Sequence, residues 1–166
     1  MGICDELGEG LGNIRKETDW MKDLFYLHFD TMPKATAQQK GVRIQNGKPF
    51  FYEKGNVRQA QHEFAVALKP HRPNTPSERP IRLTIWFAFD TKNKKLLCKD
   101  MPKEDEAEWS GFVYKPTRPD TDNYLKLFKD VMTDCGFWKD DSQVVDERVI
   151  KTYAEKAIIM VRWEEL

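Results

Sequence analysis

From Ile81 to Asp90 the chain alternates, with Leu83, Ile85, Phe87 and Phe89 on one side and Arg82, Thr84, Trp86 and Ala88 on the other, the period of a β-strand. Leu24 to Asp30 reads as an earlier strand, leading into a loop from Thr31 to Phe50 punctuated by Pro33, Gly41 and Gly47. Between Tyr52 and Lys69 the period lengthens. Val57, Ala60, Phe64, Ala65 and Leu68 recur at helical spacing, which predicts a helix starting near Asn56, and Pro70, Pro73, Pro76 and Pro80 then mark a connection. A second helix is predicted over about 123–135, where Tyr124, Leu127, Phe128, Val131 and Cys135 form an apolar stripe opposite Asp122, Lys126, Lys129 and Asp130. Asp122 is its expected N-cap and Gly136 its expected C′ residue. Gln143 to Tyr153 and Ala157 to Trp163 read as a hairpin turned by Ala-Glu-Lys. The order β-α-β-α-β-β predicts an α+β fold, a small mixed β-sheet with helices packed on it.

The 166 residues include five Trp, five Tyr and ten Phe, enough for one sizeable core. A single domain over 24–166 is expected, preceded by an acidic-leaning extension over 1–23 and interrupted by a Lys-rich insertion over about 91–114. Neither an apolar run near 18 residues nor a secretory leader pattern is visible, so no membrane association is expected and a cytoplasmic location is the default. Cys4, Cys98 and Cys135 are odd in number and lack Cys-x-x-Cys spacing, which argues against a disulfide frame and a zinc site. The zero net charge hides a gradient. Pro33 to Arg82 holds ten Lys or Arg against three Glu, a balance of +7, whereas Met1 to Asp23 holds six acidic against three basic residues, or −3. A basic block of this kind suits a polyanion, although charge runs are also ordinary solvated surface.

The densest chemistry lies in Lys115-Pro-Thr-Arg-Pro-Asp120-Thr-Asp122-Asn-Tyr-Leu-Lys126. Asp120 and Asp122, at i and i+2 on an extended entry, would point to the same side, and Lys126 stands one helical turn beyond Asp122. Nineteen residues after Asp122 comes Asp141, behind Phe137-Trp138 and Asp140, so the chain is expected to return to the same spot after one helix and a turn. Oxygen ligands alone favour Mg²⁺, with Mn²⁺ as the alternative, over zinc. Taken by itself, an Asp-x-Asp at a helix entry is more often capping and turn chemistry. An EF-hand loop fails because Leu125 occupies the glycine position and no Glu closes the loop. An aspartyl-phosphate phosphatase would put the pair after a buried strand, and Gly8, Gly10 and Gly12 lack the spacing of a phosphate loop.

Asp120-x-Asp122-Asn123, Lys126, Asp130 and Gly136-Phe-Trp-x-Asp140-Asp141-x-Gln143-Val-Val together resemble the RusA-like Holliday-junction resolvases, closely over about 115–153 and loosely over Leu24–Asp90. The resemblance implies that Asp120, Asp122 and Asp141 are metal-binding catalytic carboxylates, that Lys126 is the catalytic lysine, and that a homodimer nicks opposed strands of a four-way DNA junction. The candidate DNA contacts are Lys34, Lys40, Arg43, Lys48, Lys54, Lys115 and Arg118. Two other readings stay open, a structural DNA-binding protein of the same fold without turnover and a metal-dependent hydrolase of smaller phosphate esters.

Overall fold

A computed structural model describes residues 24–37, 40–97 and 113–166. The expected N-terminal extension and much of the expected insertion lie outside them. Six strands and two long helices follow one another as β1 (Leu24–Phe29), β2 (Lys40–Gln45), β3 (Lys48–Glu53), α1 (Gly55–Leu68), β4 (Ile81–Asp90), α2 (Thr121–Asp134), β5 (Val144–Ala154) and β6 (Ala157–Glu165). Four strands make the main sheet in the order β1-β6-β4-β5, so the fold is α+β with a mixed sheet, as expected.

Strand β4 organises the sheet. It is buried along nearly its whole length and takes a parallel neighbour, β5, on one edge and an antiparallel one, β6, on the other. Parallel pairing needs a long crossover, and α2 supplies it. The expected β5–β6 hairpin is therefore not formed. Glu155 and Lys156 carry the chain past the end of β4, which lies between the two strands, because a strand apolar on both faces is most stable with both edges paired.

The sheet's odd-numbered positions on β4 (Ile81 to Phe89), together with Phe25, Leu27, Ile159 and Val161, form one core with the apolar sides of α1 and α2. Within it Phe128 is fully buried and meets Phe64 and Phe87 edge-on, with centroids 5.1 and 5.6 Å away. A smaller cluster of Trp86, Ala88 and Ala154 lies on the reverse face, where the Trp86 indole donates to Thr152 Oγ1 at 2.9 Å.

The segment expected to be a loop up to Phe50 contains the hairpin β2–β3 instead. Its turn is Asn46-Gly47, both with positive φ (52° and 73°), the conformation a two-residue type I′ turn demands. The Asn-Gly pair was the available signal. Alternation sends Val42, Ile44, Pro49 and Phe51 to one side of this arm and Arg43 and Phe50 to the other, where the guanidinium stacks over the ring at 5.4 Å.

Truncation of Phe128 to alanine empties the contact between both helices and β4. Phe128→Ala should destabilise the protein by about 3–5 kcal/mol, read as a lower urea midpoint.

Candidate active site

Helix α2 starts two residues earlier than its stripe suggests. Asp120 is the N-cap, with Tyr124 N–H donating to its carbonyl at 3.0 Å, and Asp122 lies inside the first turn rather than at the cap. The pair is thus carried by a helix start and not by an extended strand. The Asp120 side chain makes no capping hydrogen bond, so its carboxylate is not tied to the helix backbone, and Asp122 stands in the first turn, at the positive end of the helix dipole. At the other end Gly136 has φ +84°, its N–H bonds Thr133 O and Phe137 N–H bonds Met132 O, the double bond of a Schellman stop at the expected glycine.

Asp122, Lys126 and Asp130 follow at four-residue intervals along the side of α2 opposite its buried Tyr124, Leu127, Phe128 and Val131. Burial pushes the Asp130 carboxyl up; Lys126 opposes this, Asp141 and Asp134 add to it, and Lys129 opposes it again. Asp141 is thus near enough for its charge to act on Asp130. Asp130 itself is about 12 Å along the helix axis from Asp122, at 1.5 Å per residue. Asp120 instead belongs to the surroundings of Lys151. The expected return of Asp141 to the Asp120–Asp122 pair does not occur within one chain, because a helix crossover delivers the chain to the opposite end of the parallel strands. Among the described residues no three His, Cys, Asp or Glu side chains are gathered closely enough to hold a metal ion.

The turn that carries Asp141 is rigidly built. Phe137 and Trp138 are buried, and the Trp138 indole donates to Thr133 Oγ1 at 2.8 Å. Asp140 caps the 3-10 turn Asp141–Gln143 by accepting from Ser142 N–H at 2.8 Å, and those bonds hold its carboxyl below the usual range. Gln143 accepts from the N–H groups of Lys139 and Asp140 at 3.0 and 2.9 Å and donates to the carbonyls of Ser77 and Arg79 at 3.0 and 2.9 Å. Asp140 is consumed by structure while Asp141, exposed, is not.

The entry to Asp120 is braced as well. Thr117 O and Pro119 O, the latter after a cis Arg118–Pro119 bond, both accept from Lys151 Nζ. Sequence reasoning passed over Lys151, since its role depends on β5 running beside a loop more than thirty residues away in sequence. Lys115, expected to contact DNA, has its ammonium bonded to Thr117 Oγ1 and set over the rings of Phe89 and Tyr153 at 5.3 and 5.1 Å. Of the other expected contacts, Lys34, Arg43, Lys48, Lys54 and Arg118 are exposed, and Lys40 opens β2. The segment leading to the β2–β3 arm docks on the first turn of α2, with Tyr124 Oη donating to Pro33 O and Ala37 N–H to Asn123 O. At the far end of the basic block Arg82 is paired with Asp146 and Glu164 at 2.6 and 3.0 Å, and Arg79 with Glu165 at 3.8 Å. Among the described residues the ion pairs of the basic block thus fall on Arg79 and Arg82, away from the arm.

The α+β domain thus has a crossover helix that begins at exposed carboxylates, with a basic arm leaving from a segment docked on its first turn. The family model for the endodeoxyribonuclease RusA matches residues 30–164, and the chain belongs to that family. It is 30% identical over 148 residues to a crossover junction endodeoxyribonuclease rusA of Lactococcus phage r1t, covering 88% of this chain and 100% of that protein. It is 31% identical over 134 residues to the uncharacterized protein YqaN of Bacillus subtilis (strain 168), covering 81% of this chain and 91% of that one. A stretch of 34 residues, 20% of this chain and 28% of the other, is 56% identical to the crossover junction endodeoxyribonuclease RusA of Escherichia coli (strain K12).

Two substitutions test this geometry. Gln143→Ala removes four bonds around the Asp141 turn and should cost about 2 kcal/mol in chemical denaturation. Asp130 holds its proton more tightly folded than unfolded, so its ionised form costs stability above its raised pKa and the cost disappears below the ordinary carboxylate range. Asp130→Asn should raise the melting temperature at neutral pH, by less than about 1 kcal/mol in stability given its partial exposure. Calorimetry below about pH 3 should find the two proteins equal.

Proposed function

We propose that this protein is a structure-selective endodeoxyribonuclease that resolves four-way DNA junctions with Mg²⁺, or Mn²⁺ in its place, in the bacterial cytoplasm. The observation that carries the reading is the exposed Asp120–Asp122 pair at the start of α2, with Lys126 one turn on, in a member of the RusA family. A phosphate in a duplex or branched DNA reaches an open surface of this kind. The phage relative's name, a crossover junction endodeoxyribonuclease, supports the choice of substrate.

Asp120 and Asp122 fit a hard cation, since both are oxygen donors without competing bonds among the described residues, and Mg²⁺ commonly takes one or two carboxylates and completes its shell with water and phosphate oxygens. When bound, the ion supplies an activated water and charge stabilisation for hydrolysis of the phosphodiester. Because Asp120, Asp122 and Asp141 are not gathered into a metal-holding cluster among the described residues of one protomer, a homodimer that places the partner subunit's Asp141 beside the pair would provide the third carboxylate. Lys126 offsets the charge developing on the phosphate. Lys34, Lys40, Arg43, Lys48, Lys54 and Arg118 bind backbone phosphates and give affinity without reading sequence. Two copies, each cutting one strand, would give paired and symmetric nicks.

Incubation with a synthetic four-way junction and a matched duplex, in Mg²⁺ or EDTA, tests the reading. Symmetric nicks confined to the junction and dependent on Mg²⁺ are expected, whereas binding without cleavage would support the structural DNA-binding alternative. Asp122→Asn should bind the junction within about twofold of wild type while cleavage falls by about a hundredfold or more, because the lost ligand acts on the transition state. Junction affinity should also drop about a hundredfold over a fourfold rise in salt, as for a protein neutralising about four phosphates, and the double replacement of Arg43 and Lys48 by alanine should flatten that slope by about two. A salt-independent affinity would remove the arm from the DNA surface.

A further inference from the structure

The loop that delivers Asp120 cannot hold itself in place. Pro116 and Pro119 lack N–H groups, so the five residues from Lys115 to Pro119 cannot continue the ladder begun where Lys115 N–H bonds Lys151 O at 3.0 Å and Tyr153 N–H bonds Val113 O at 3.0 Å. The carbonyls of Thr117 and Pro119 need donors from elsewhere. Lys151, half-buried on β5, provides them with a single ammonium, donating to Thr117 O at 3.0 Å and to Pro119 O. Thr117 Oγ1 is tied in turn to Lys115 Nζ and, at 3.1 Å, to Tyr153 Oη. The Pro119 carbonyl belongs to the peptide that joins directly to Asp120, so its direction sets that of the N-cap residue.

We propose that Lys151 is a positioning residue of the nuclease site. Its ammonium clamps the two carbonyls that precede Asp120, so that the Asp120 carboxylate is held in register with Asp122 at the start of α2. It acts through Asp120 and leaves contact with the phosphate to Lys126. Methionine at this position would fill the same space along β5 but donate to neither carbonyl. Arginine would keep the charge and the donors on a longer, planar head that fits the two carbonyls less closely. The role rests on the function proposed above, and wild-type protein in every assay separates the two.

Three readouts on wild type, Lys151→Met and Lys151→Arg decide it: Mn²⁺ binding followed by electron paramagnetic resonance, junction binding by gel shift in EDTA, and the Mg²⁺ dependence of junction cleavage. Lys151→Met is expected to bind Mn²⁺ about tenfold more weakly and to bind the junction within about twofold of wild type. Its cleavage should fall about a hundredfold at low Mg²⁺ and recover in part as Mg²⁺ is raised, the pattern of a displaced ligand. Lys151→Arg should fall between the two. A merely structural lysine would lower the melting temperature without moving the metal dependence of the folded protein. Wild-type Mn²⁺ affinity and cleavage in Lys151→Met would overturn the proposal; should that variant fail to fold, wild-type values in Lys151→Arg would do the same. If wild type itself neither binds Mn²⁺ nor cuts the junction, the nuclease reading falls and this role falls with it.

Discussion

The burial of one side of α2 against β4 is the constraint on which the rest of the molecule depends. Tyr124, Leu127, Phe128 and Val131 have to face Phe64, Phe87 and Phe89, and a helix that turns 100° per residue then has no choice but to present Asp122, Lys126 and Asp130 to solvent. Tyr124 links this packing to the surface. Its ring lies 4.7 Å from Phe87, its hydroxyl donates to Pro33 O, and burial pushes its pKa up, so it remains a neutral donor. The same residue therefore seats the helix and fixes where the basic arm departs. Core packing, carboxylate row and the place of the basic arm are consequences of one helix orientation.

The two ends of that helix are stabilised by different means, and each serves a carboxylate. At the start, where prolines remove backbone donors, a lysine side chain from β5 reaches over to satisfy two carbonyls. At the end, a Schellman stop and the side-chain amide of Gln143 saturate the backbone around the turn that carries Asp141. Irregular backbone beside a site is expensive unless its polar groups are paired, so the residues that pair them are as necessary to the geometry as the carboxylates. Asp120 and Asp141 thus sit on rigid supports that are far apart in the protomer.

Charge follows the same division. Arg79 and Arg82, counted with the basic block, are matched by Glu165, Asp146 and Glu164 across β4 and its neighbours, while the cations from Lys34 to Lys54 stand on a segment docked at the start of α2. A neutral chain thereby keeps one basic surface next to its acidic one. The hairpin arm adds apolar side chains, Ile44 and Phe51 being 78% and 61% exposed, to the side away from Arg43, which gives the arm two unlike faces.

Local pattern was enough for most of the elements. The alternation in β4, the stripe of α2, Gly136 as its stop and the Asp-Lys-Asp row are short-range properties, set by side chains within one or two turns of each other, and the sequence by itself determined them. It also carried the family resemblance, whose motifs lie in one stretch of about forty residues. The Asn-Gly hairpin was legible too, through turn chemistry that the long-loop reading of Thr31 to Phe50 overlooked. What the sequence could not determine depends on partners distant along the chain. Which neighbour β5 and β6 choose is decided by β4, whose two buried faces and two open edges make it the centre of the sheet. Whether Asp141 meets Asp120 is decided by the direction of the crossover, and whether Lys151 is surface or clamp by the loop that β5 runs beside. Those are relations between elements, fixed only when the core closes, and periodicity along a single segment carries no trace of them.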